Sequence, residues 1–202
     1  MIFLQSRKRR QSLERFFSFS KPTERGCVLI DDDDDSYEGM SLPAGWGFHQ
    51  APRASVVIIL NRAFQAYPNE PYYAQIGDDY VCQPEGWDKV LGDACGSHNI
   101  AWGDDGRFGP KLCTSFFVGG DLVRKLGFIA HPSFGHLYVD TVWWSIAKGA
   151  GIGRYHPEIS TKHLKLIDKT YHERTVQGDY ETFNKLREKE LSELINIAVS
   201  LK

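Results

Sequence analysis

Short apolar runs alternate with stretches of helical periodicity from the first residues of the chain onward. Residues 1–5 and 27–30 are apolar runs of strand length. The first run is followed by Leu13, Phe16 and Phe17, at the spacing of one helix face. A strand, a polar loop and a helix in this order favour an α/β fold. Ligands of such folds bind beyond the carboxyl ends of the strands, so functional residues are expected in the loops at those ends.

The same alternation continues to the end of the chain. Further strands are predicted at residues 47–50, 72–76, 99–103, 113–118 and 155–159, and further helices at 52–67, from Trp87, at 121–127 and at 139–147. Apolar residues from Tyr180 onward predict an amphipathic helix at about 180–201, which packs on the core or on a partner subunit in a homodimer. No repeat or low-complexity linker divides the 202 residues, which predicts one domain over residues 1–202.

One stretch carries the clearest candidate chemistry. The predicted strand at 72–76 runs into Gly77 and then into two adjacent acids, Asp78 and Asp79, before a loop leads to the helix from Trp87. Two carboxylates at the tip of a strand are well placed to bind a divalent cation. Mg²⁺ and Mn²⁺ take oxygen ligands, often one or two carboxylates together with the phosphates of a substrate. A solvated turn is the alternative interpretation of this pair.

Composition and charge narrow the classes of function. The net charge of −2 gives no global field that would attract nucleic acid, so no nucleic-acid partner is expected. No run approaches about 18 apolar residues, so no transmembrane segment is predicted. The apolar residues ahead of the basic cluster at 7–10 are too few for a secretory signal. The four cysteines have no CxxC spacing, which favours reduced thiols and a cytoplasmic protein.

Four further clusters carry a weaker signal. The basic residues at 7–10 form either a solvated loop or an anion-binding loop. Most of the five acids at 31–35 are expected in solvent, because adjacent carboxylates repel one another and cannot all be buried. The Asp-Asp-Gly sequence at 104–106 is typical of a plain turn, with a second metal site as the alternative. The glycines at 149–153 lack the spacing of a phosphate-binding loop.

The stretch around the acidic pair resembles the metal-binding DxD region of GT-A glycosyltransferases. The resemblance rests on the order strand, Gly-Asp-Asp at 77–79, loop and Gly-Trp-Asp at 86–88. It is strongest to small phage and viral enzymes related to glycosyltransferase family 2. The Ser-Arg-Lys-Arg sequence at 6–9 is similar to the Ser-Arg-x-Arg loop after the first strand of that group. Tyr80 stands where a third acid is common, which leaves Asp79 as the expected metal ligand. The resemblance covers roughly residues 1–175.

The resemblance implies a fold and a set of roles. The fold is α/β, a Rossmann-like GT-A domain with a mixed, mostly parallel central sheet flanked by helices. The metal, Mn²⁺ or Mg²⁺, would be bound by Asp79 and by a late histidine, His163. Asp140 lies at the start of the predicted helix at 139–147 and three residues before Trp143, as the catalytic base of inverting GT-A enzymes does. The nucleotide sugar would be bound by Ser6, Arg7, Arg9, Asp31, Asp33, Arg53 and Asp78.

Several of these residues also have a plain structural interpretation. Asp140 is an acid that the dipole at a helix N-terminus favours in any case. Arg53 and His163 are residue types that commonly lie on a surface. Asp121, at the start of the predicted helix at 121–127, is the next candidate for the base.

The function that the resemblance implies is transfer of a sugar from a nucleotide-sugar donor to an acceptor hydroxyl, with a glycan or glycoprotein as acceptor. If the chain is viral, the compartment would be the host cytoplasm. One alternative is a nucleotidyltransferase acting on sugar phosphates, which would usually have a glycine-rich loop where residues 6–10 have no glycine. Another is a non-catalytic module that binds a nucleotide or carbohydrate through its aromatic residues, among them five tryptophans.

Overall fold

A computed structural model describes residues 1–164 and 173–202, and among them eight strands form one continuous sheet. The strands are β1 (Ile2–Gln5), β2 (Gly26–Asp31), β3 (Trp46–Ala51), β4 (Tyr72–Gly77), β5 (Tyr80–Gln83), β6 (Ile100–Asp104), β7 (Phe116–Gly119) and β8 (Gly153–His163). The helices are α1 (Arg10–Ser20), α2 (Val56–Ala66), α3 (Trp87–Cys95), α4 (Gly120–Leu126), α5 (Val139–Ala150), α6 (Glu173–Lys189) and α7 (Leu191–Val199). The predicted α/β fold with a mixed sheet and flanking helices is confirmed.

Strand direction brings the ends of most strands to one edge of the sheet. The order is β3-β2-β1-β4-β7-β6-β8-β5. β1 is parallel to β2 and β4, β2 to β3, and β6 to β8, whereas β7 is antiparallel to β4 and β6, and β5 to β8. Six strands therefore end together, at Gln5, Asp31, Ala51, Gly77, Asp104 and His163. We call this the C-terminal edge, and it is where an α/β sheet binds ligands.

Period-two alternation divides the side chains of the sheet between two cores. Phe3 and Tyr73 point to the face that α2, α4, α5 and α7 cover, whereas Leu4 and Ile76 point to the face of α1 and α3. Trp87 is fully buried in the second core, and its Nε1 donates to the Ser20 carbonyl at 2.8 Å. The two cores therefore lie on opposite faces of β1 and β4. β1 leads to the basic loop at the C-terminal edge, and β4 leads to the acidic pair.

β8 changes partner along its length. Its first residues pair with β6 and its last with β5, and between them the register shifts, since Gly103 pairs with His156 but Asp104 pairs with Ser160. A side chain at 103 would not fit, because its Cβ would lie 2.5 Å from the carbonyl oxygen of Ile159. The irregularity carries β8 across to β5 and places His163 opposite Tyr80 at the C-terminal edge.

Several element boundaries differ from those predicted. Residues 80–83, predicted as a loop, form β5, because these four residues pair with a strand that lies far away in sequence. α2 begins at Val56 and not at Pro52, since the Ser55 hydroxyl caps it by accepting from the N–H of Ile58 at 3.4 Å. β7 begins at Phe116 instead of residue 113. The predicted glycine-rich turn at 149–153 begins only after α5 has ended.

The C-terminal helix predicted at about 180–201 is two helices. The backbone leaves the helical conformation at Glu190, between α6 and α7. The break turns Leu194 and Ala198 into the core. α7 packs closely on α5 at Gly149, where a Cβ would lie 2.5 Å from the Cδ1 of Ile195. Most apolar residues of this segment therefore pack on the core of the same chain. None of the helices in the described residues is long and apolar enough to cross a membrane.

Asp88 joins the start of α3 to the loop between α1 and β2. It is fully buried, and its Oδ2 accepts from the backbone N–H groups of Thr23 and Glu24 at 2.6 and 2.7 Å. Its Oδ1 accepts from the Thr23 hydroxyl at 3.0 Å. The Gly-Trp-Asp unit at 86–88 therefore holds the fold together through both Trp87 and Asp88, at a distance from the acidic pair.

Replacement of Asp88 by Ala should destabilise the protein by about 3 kcal/mol, because three donors would lose their acceptor inside the protein. Urea unfolding of Asp88→Ala beside the parent measures this difference. Asp93→Ala is a matched control on the same helix, since Asp93 is exposed and pairs only at the surface with Lys89; its cost should stay below about 1 kcal/mol. Equal stability of the two variants would contradict the structural role given to Asp88.

Candidate active site

The loops after β1 and β2 meet at the C-terminal edge through one arginine. Arg7 donates to the carboxylate of Asp31 and makes a bidentate pair with Asp33, at 2.9 and 3.2 Å. Hydrogen bonding from Arg7 lowers the pKa of Asp33, and the positive charge of Arg53, exposed after β3, adds to this effect. Asp31 is buried, and its Oδ1 has no hydrogen-bond partner among the described residues. The structure thus brings together four of the residues predicted to bind the nucleotide.

Asp34 holds the same loops in place and was not singled out in the sequence. It is buried, and its carboxylate accepts from the N–H of Lys8 at 2.7 Å and from the hydroxyl and N–H of Ser36 at 2.6 and 3.1 Å. Burial opposes ionisation, but these hydrogen bonds outweigh it and lower the pKa of Asp34. An Asp two residues before a Ser is a common turn signal, which could have indicated the local part of this role.

Asp78 is the buried member of the acidic pair. It is fully buried, and its Oδ2 accepts from the Ser6 hydroxyl at 2.5 Å and from Arg9 Nε at 3.1 Å, while Arg9 Nη2 donates to Oδ1. The Tyr37 hydroxyl completes the cluster, 2.6 Å from Ser6 Oγ and accepting from the Arg9 N–H at 3.2 Å. Burial raises the pKa of Asp78 against the effect of Arg9 and Ser6. This carboxylate is engaged in fixing the loop after β1.

Asp79 is the outward-facing member of the pair. Its Oδ2 lies 3.0 Å from Nε2 of His163 and 3.5 Å from Nη2 of Arg9. The His163 ring stacks on Tyr80, with 4.8 Å between ring centroids and 13° between planes. Burial opposes ionisation, but the contacts with His163 and Arg9 outweigh it and lower the pKa of Asp79. Gly77 permits this arrangement, since a Cβ there would lie 2.6 Å from Oδ1 of Asp79.

Asp79 and His163 fit a divalent metal that takes its other ligands from elsewhere. Within the described residues, no group of three or more His, Cys, Asp and Glu side chains is able to hold a metal ion. A carboxylate oxygen and an imidazole nitrogen 3.0 Å apart can nevertheless bind one ion together. Mg²⁺ in particular commonly combines one or two carboxylates with substrate phosphates and water. The site is therefore suited to a metal that arrives with a phosphorylated ligand.

Asp140 lies on the other side of the C-terminal edge, where it lines a cavity of about 160 Å³. It is the second residue of α5, and its Oδ1 accepts from the N–H and hydroxyl of Thr141 at 2.7 and 3.3 Å. Burial raises the pKa of Asp140 against these bonds, and the negative charge of Asp105 adds to the rise. Further cavity-lining residues are Gln5, Gln75, Thr114, His136, Leu137 and Tyr138.

Two glutamines on neighbouring strands contribute amides to the cavity. Gln5 ends β1, and Gln75 of β4 pairs with Phe3, so both amides lie on the same face of the sheet. Nε2 of Gln5 is buried and has no partner among the described residues. A buried donor without an acceptor is unfavourable, so a hydroxyl group bound in the cavity would relieve it. No sequence pattern indicates this pair of glutamines, because polar residues at strand ends are common.

Asp105 belongs to a turn beside the cavity. Its Oδ1 accepts from the N–H groups of Arg107, Phe108 and Gly109 at 2.9, 2.7 and 3.1 Å, and its Oδ2 accepts from the Thr114 hydroxyl at 3.2 Å. Burial opposes ionisation, but these four bonds lower the pKa of Asp105. Its oxygens are engaged within the turn, so the geometry agrees with the predicted turn and not with a second metal site.

Asp121 does not reach the C-terminal edge. It is exposed at the start of α4, where it pairs with Arg124 at 2.7 Å. α4 follows the end of β7, and Gly119 there pairs with Tyr72, the first residue of β4. Asp121 therefore lies at the opposite edge of the sheet, and the prediction that it is the next candidate base is wrong.

Most of the tryptophans lie in the cores. Trp46, Trp87 and Trp143 are buried there. Trp102 is 5% exposed and, together with the partly exposed Trp144, lines a cavity of about 400 Å³. The Lys148 ammonium lies 5.0 Å from the centre of the Trp144 ring. Three of the five tryptophans are thus unavailable as binding platforms, which weakens the alternative of a module that binds through aromatic rings.

Comparisons with known proteins bear on the fold. No protein-family model matches the chain, and no curated protein sequence does. Among solved structures, a mannosyltransferase from Pyrobaculum calidifontis in complex with GDP-Man and Mn²⁺ has a TM-score of 0.63 at 8% identity, over 98% of this chain and 72% of that one. Glucosyl-3-phosphoglycerate synthase from Mycobacterium tuberculosis, in complex with Mn²⁺ and UDP, has a TM-score of 0.61 at 11% identity, over 93% and 78%. This is a GT-A fold.

A third structure extends the comparison. The catalytic domain of Drosophila β1,4-galactosyltransferase 7, in complex with xylobiose, has a TM-score of 0.54 at 13% identity, over 94% of this chain and 79% of that one. The chain thus has the GT-A fold over nearly its whole length, although hardly any of its sequence is shared with these proteins. In this GT-A fold, the acidic pair follows β4 and Asp140 opens α5.

Replacement of Arg9 by Met should destabilise the protein by about 3 kcal/mol at neutral pH, because Asp78 would keep its buried charge without a partner. The pKa of Asp78 would rise further in the variant. Protonation then removes the buried charge, so the difference from the parent should shrink as the pH is lowered. Urea unfolding at several pH values checks both statements. Arg10→Met, which removes a partly exposed arginine bonded to Glu14 and to the Glu38 carbonyl, should cost less than about 1 kcal/mol at every pH.

Proposed function

We propose that this protein is a metal-dependent glycosyltransferase that moves a sugar from a nucleotide-sugar donor to an acceptor hydroxyl with inversion. The observation that carries the proposal is the pairing of two different acids at one edge of a GT-A sheet. Asp79 is ionised beside His163, whereas Asp140 is desolvated in a polar cavity. Tyr80 links the two sites, since it stacks on His163 and its hydroxyl donates to the Thr114 carbonyl at the cavity.

The nucleotide would lie over the loops after β1 and β2. Oδ1 of Asp31 is a buried acceptor without a partner, which suits an N–H or O–H donor of a base or ribose. Arg7, Arg9 and Arg53 supply positive charge there, as a diphosphate requires. Ser6 and Asp78 would act on the nucleotide through Arg9, because Ser6 donates to Asp78 and Asp78 accepts from that arginine.

Asp79 and His163 would hold the metal, Mn²⁺ or Mg²⁺. When bound, such an ion neutralises charge on the diphosphate as the bond to the sugar breaks. Tyr80 would keep the imidazole in place by stacking, and Gly77 would let the Asp79 carboxylate turn back over the strand end. The protein's own part in this step is to orient the side chains of Asp79 and His163 toward the ion.

Asp140 would take the proton from the acceptor hydroxyl. The oxygen of that hydroxyl forms the new bond to the anomeric carbon, the bond from this carbon to the diphosphate breaks, and the proton remains on the Asp140 carboxylate. Desolvation suits this role, because a carboxylate with a raised pKa is a stronger base. A single attack from the face opposite the leaving group inverts the configuration.

The cavity would hold the acceptor, with its reacting hydroxyl at Asp140. Gln5 and Gln75 offer amide groups that donate and accept hydrogen bonds, and Thr114 offers a hydroxyl. Sugar hydroxyls make the same kinds of bond, and one of them would satisfy Nε2 of Gln5.

The same proposal extends to the relatives of the protein, its compartment and its partners. A relationship to the small viral enzymes of the family 2 type rests on the loop at 6–9 and on the acidic pair. A reducing compartment such as the cytoplasm suits the four cysteines, which are all buried as free thiols. A glycan or glycoprotein acceptor and a homodimer stay predictions.

The test is incubation of the protein with a panel of nucleotide sugars and Mn²⁺, followed by analysis of the products. Release of a nucleoside diphosphate, accelerated by an acceptor, is the expected result. Release of pyrophosphate from a nucleoside triphosphate and a sugar phosphate would instead identify a nucleotidyltransferase. Binding of a nucleotide sugar without any product would identify a binding module.

Asp79→Asn should leave the fold intact and weaken Mn²⁺-dependent binding of a nucleoside diphosphate. Loss of groups that only support a metal ligand typically costs 10–100-fold in affinity, so loss of the ligand itself should cost at least about tenfold. Calorimetric titration with nucleoside diphosphate, with and without Mn²⁺, measures the effect. Asp93→Asn, which removes an exposed acid on α3, should bind as the parent does. Unchanged affinity in Asp79→Asn would show that the acidic pair has been misinterpreted.

Asp140→Asn should bind donor normally but lower the transfer rate at saturating donor by about 10²-fold or more. In the parent, the rate should fall as the pH drops through the pKa of Asp140. Because burial raises that pKa, the fall should occur at a pH above about 3.9, the pKa of an ordinary Asp. The variant should lack this acid limb. Asp121→Asn, at the opposite edge of the sheet, should match the parent at each pH. A rate for Asp140→Asn within a few-fold of the parent would reject Asp140 as the base.

A further inference from the structure

The segment between α4 and α5 forms the part of the cavity wall nearest to Asp140. His136, Leu137 and Tyr138 all line the cavity. Tyr138 has a φ of 67°, in the left-handed region that residues other than glycine seldom adopt. It directly precedes α5 and stands two residues before Asp140. A backbone in this conformation persists only where surrounding structure holds it.

A carboxylate from α6 restrains the backbone of this segment. Asp179 is 5% exposed and accepts hydrogen bonds from three consecutive backbone N–H groups, those of Gly135, His136 and Leu137, at 2.8, 2.9 and 2.8 Å. Successive N–H groups that converge on one anion form a backbone nest. Here the anion is part of the protein, so the nest ties the cavity wall to α6.

Two more contacts join this part of the chain to the segment. Phe183, one turn after Asp179, stacks on the ring of Tyr138 with 5.0 Å between centroids and 13° between planes. Asp179 and Phe183 are spaced i and i+4 and therefore share one side of α6. Glu190, just beyond the end of α6, lies with Oε1 3.3 Å from Nε2 of the buried His131. The side of α6 that carries Asp179 and Phe183, together with Glu190, thus supports the segment at three points.

We propose that Asp179 is a positioning residue for the acceptor side of the reaction. By holding the N–H groups of residues 135–137, it fixes the cavity wall and the backbone from which the helix of Asp140 starts. Asp179 does not line the cavity itself. It also lies on a different element from the loops proposed to bind the nucleotide, so its loss should affect the acceptor and spare the donor. The kinetic part of this inference rests on the proposed function.

Three variants separate positioning from general stability. Asp179→Asn keeps the size of the side chain but puts an amide donor where a carboxylate oxygen had accepted N–H groups. Asp179→Glu keeps the charge and should restore part of what is lost. Glu181→Gln is the matched control, because Glu181 is on the same helix, is exposed, and among the described residues accepts a hydrogen bond from Gln177 of its own helix, at 2.8 Å.

Hydrogen exchange measures directly whether Asp179 restrains the backbone of residues 135–137. In Asp179→Asn the amides of residues 135–137 should exchange at least about tenfold faster than in the parent, while those of β6 should not change. Exchange in Glu181→Gln should match the parent throughout. Unchanged exchange at 135–137 in Asp179→Asn, or faster exchange over the whole protein, would overturn the proposal whatever the enzyme activity is.

Kinetics tests the consequence for transfer. In Asp179→Asn the KM for acceptor should rise by about tenfold while the KM for donor stays unchanged, and Asp179→Glu should recover part of the difference. Equal effects on both substrates, or none, would overturn the positioning role. Absence of transfer in the parent would reject the proposed function, and with it the kinetic role of Asp179. The exchange rates would still decide whether Asp179 fixes the wall.

Discussion

The buried ion pair of Asp78 and Arg9 is the interaction on which the C-terminal edge depends. A carboxylate with no exposed surface is tolerated only if its charge is matched, and here Arg9 and the Ser6 hydroxyl match it. The pair fixes the loop after β1 against the end of β4. Because successive residues at a strand end project to opposite sides, burial of Asp78 directs Asp79 outward to His163. Two adjacent acids thereby acquire opposite environments and opposite pKa shifts.

Much of the fold could be predicted, because the local periodicity of apolar residues indicates most of its strands and helices. The alternation of strands and helices, and the gathering of the loop at 6–9, the acids at 31–35 and the acidic pair at one edge, follow from pattern and from the rules of parallel sheets. β5 could not be predicted, since four residues hold too little periodicity and their strand partner is far away in sequence. The break at Glu190 was missed for a similar reason, because the contact of α7 with α5 decides it.

Some residues of the candidate site could likewise be predicted from the sequence, and others could not. Asp79, Asp140 and His163 could be singled out from residue type, position and resemblance. Asp34, Tyr37, Gln5 and Asp179 could not, because their roles come from contacts between distant parts of the chain. Asp179 is the extreme case, since it lies 44 residues from Gly135 and its helix carries no motif. Residues that support a site are recognised by what they touch, and a sequence alone does not contain that.

The register shift in β8 gives the fold a place where the site can be tuned. Residues 153–156 pair with β6 and residues 160–163 pair with β5, Ser160 pairing with both. A change in the number of residues of β8 at 157–159 would therefore slide His163 along β5 while leaving the pairing of residues 153–156 unchanged. One added residue would turn the imidazole to the other face of the sheet, away from Asp79. Two would keep the face but move it by about 6–7 Å. A different number of residues at this point would therefore place a different side chain opposite Asp79.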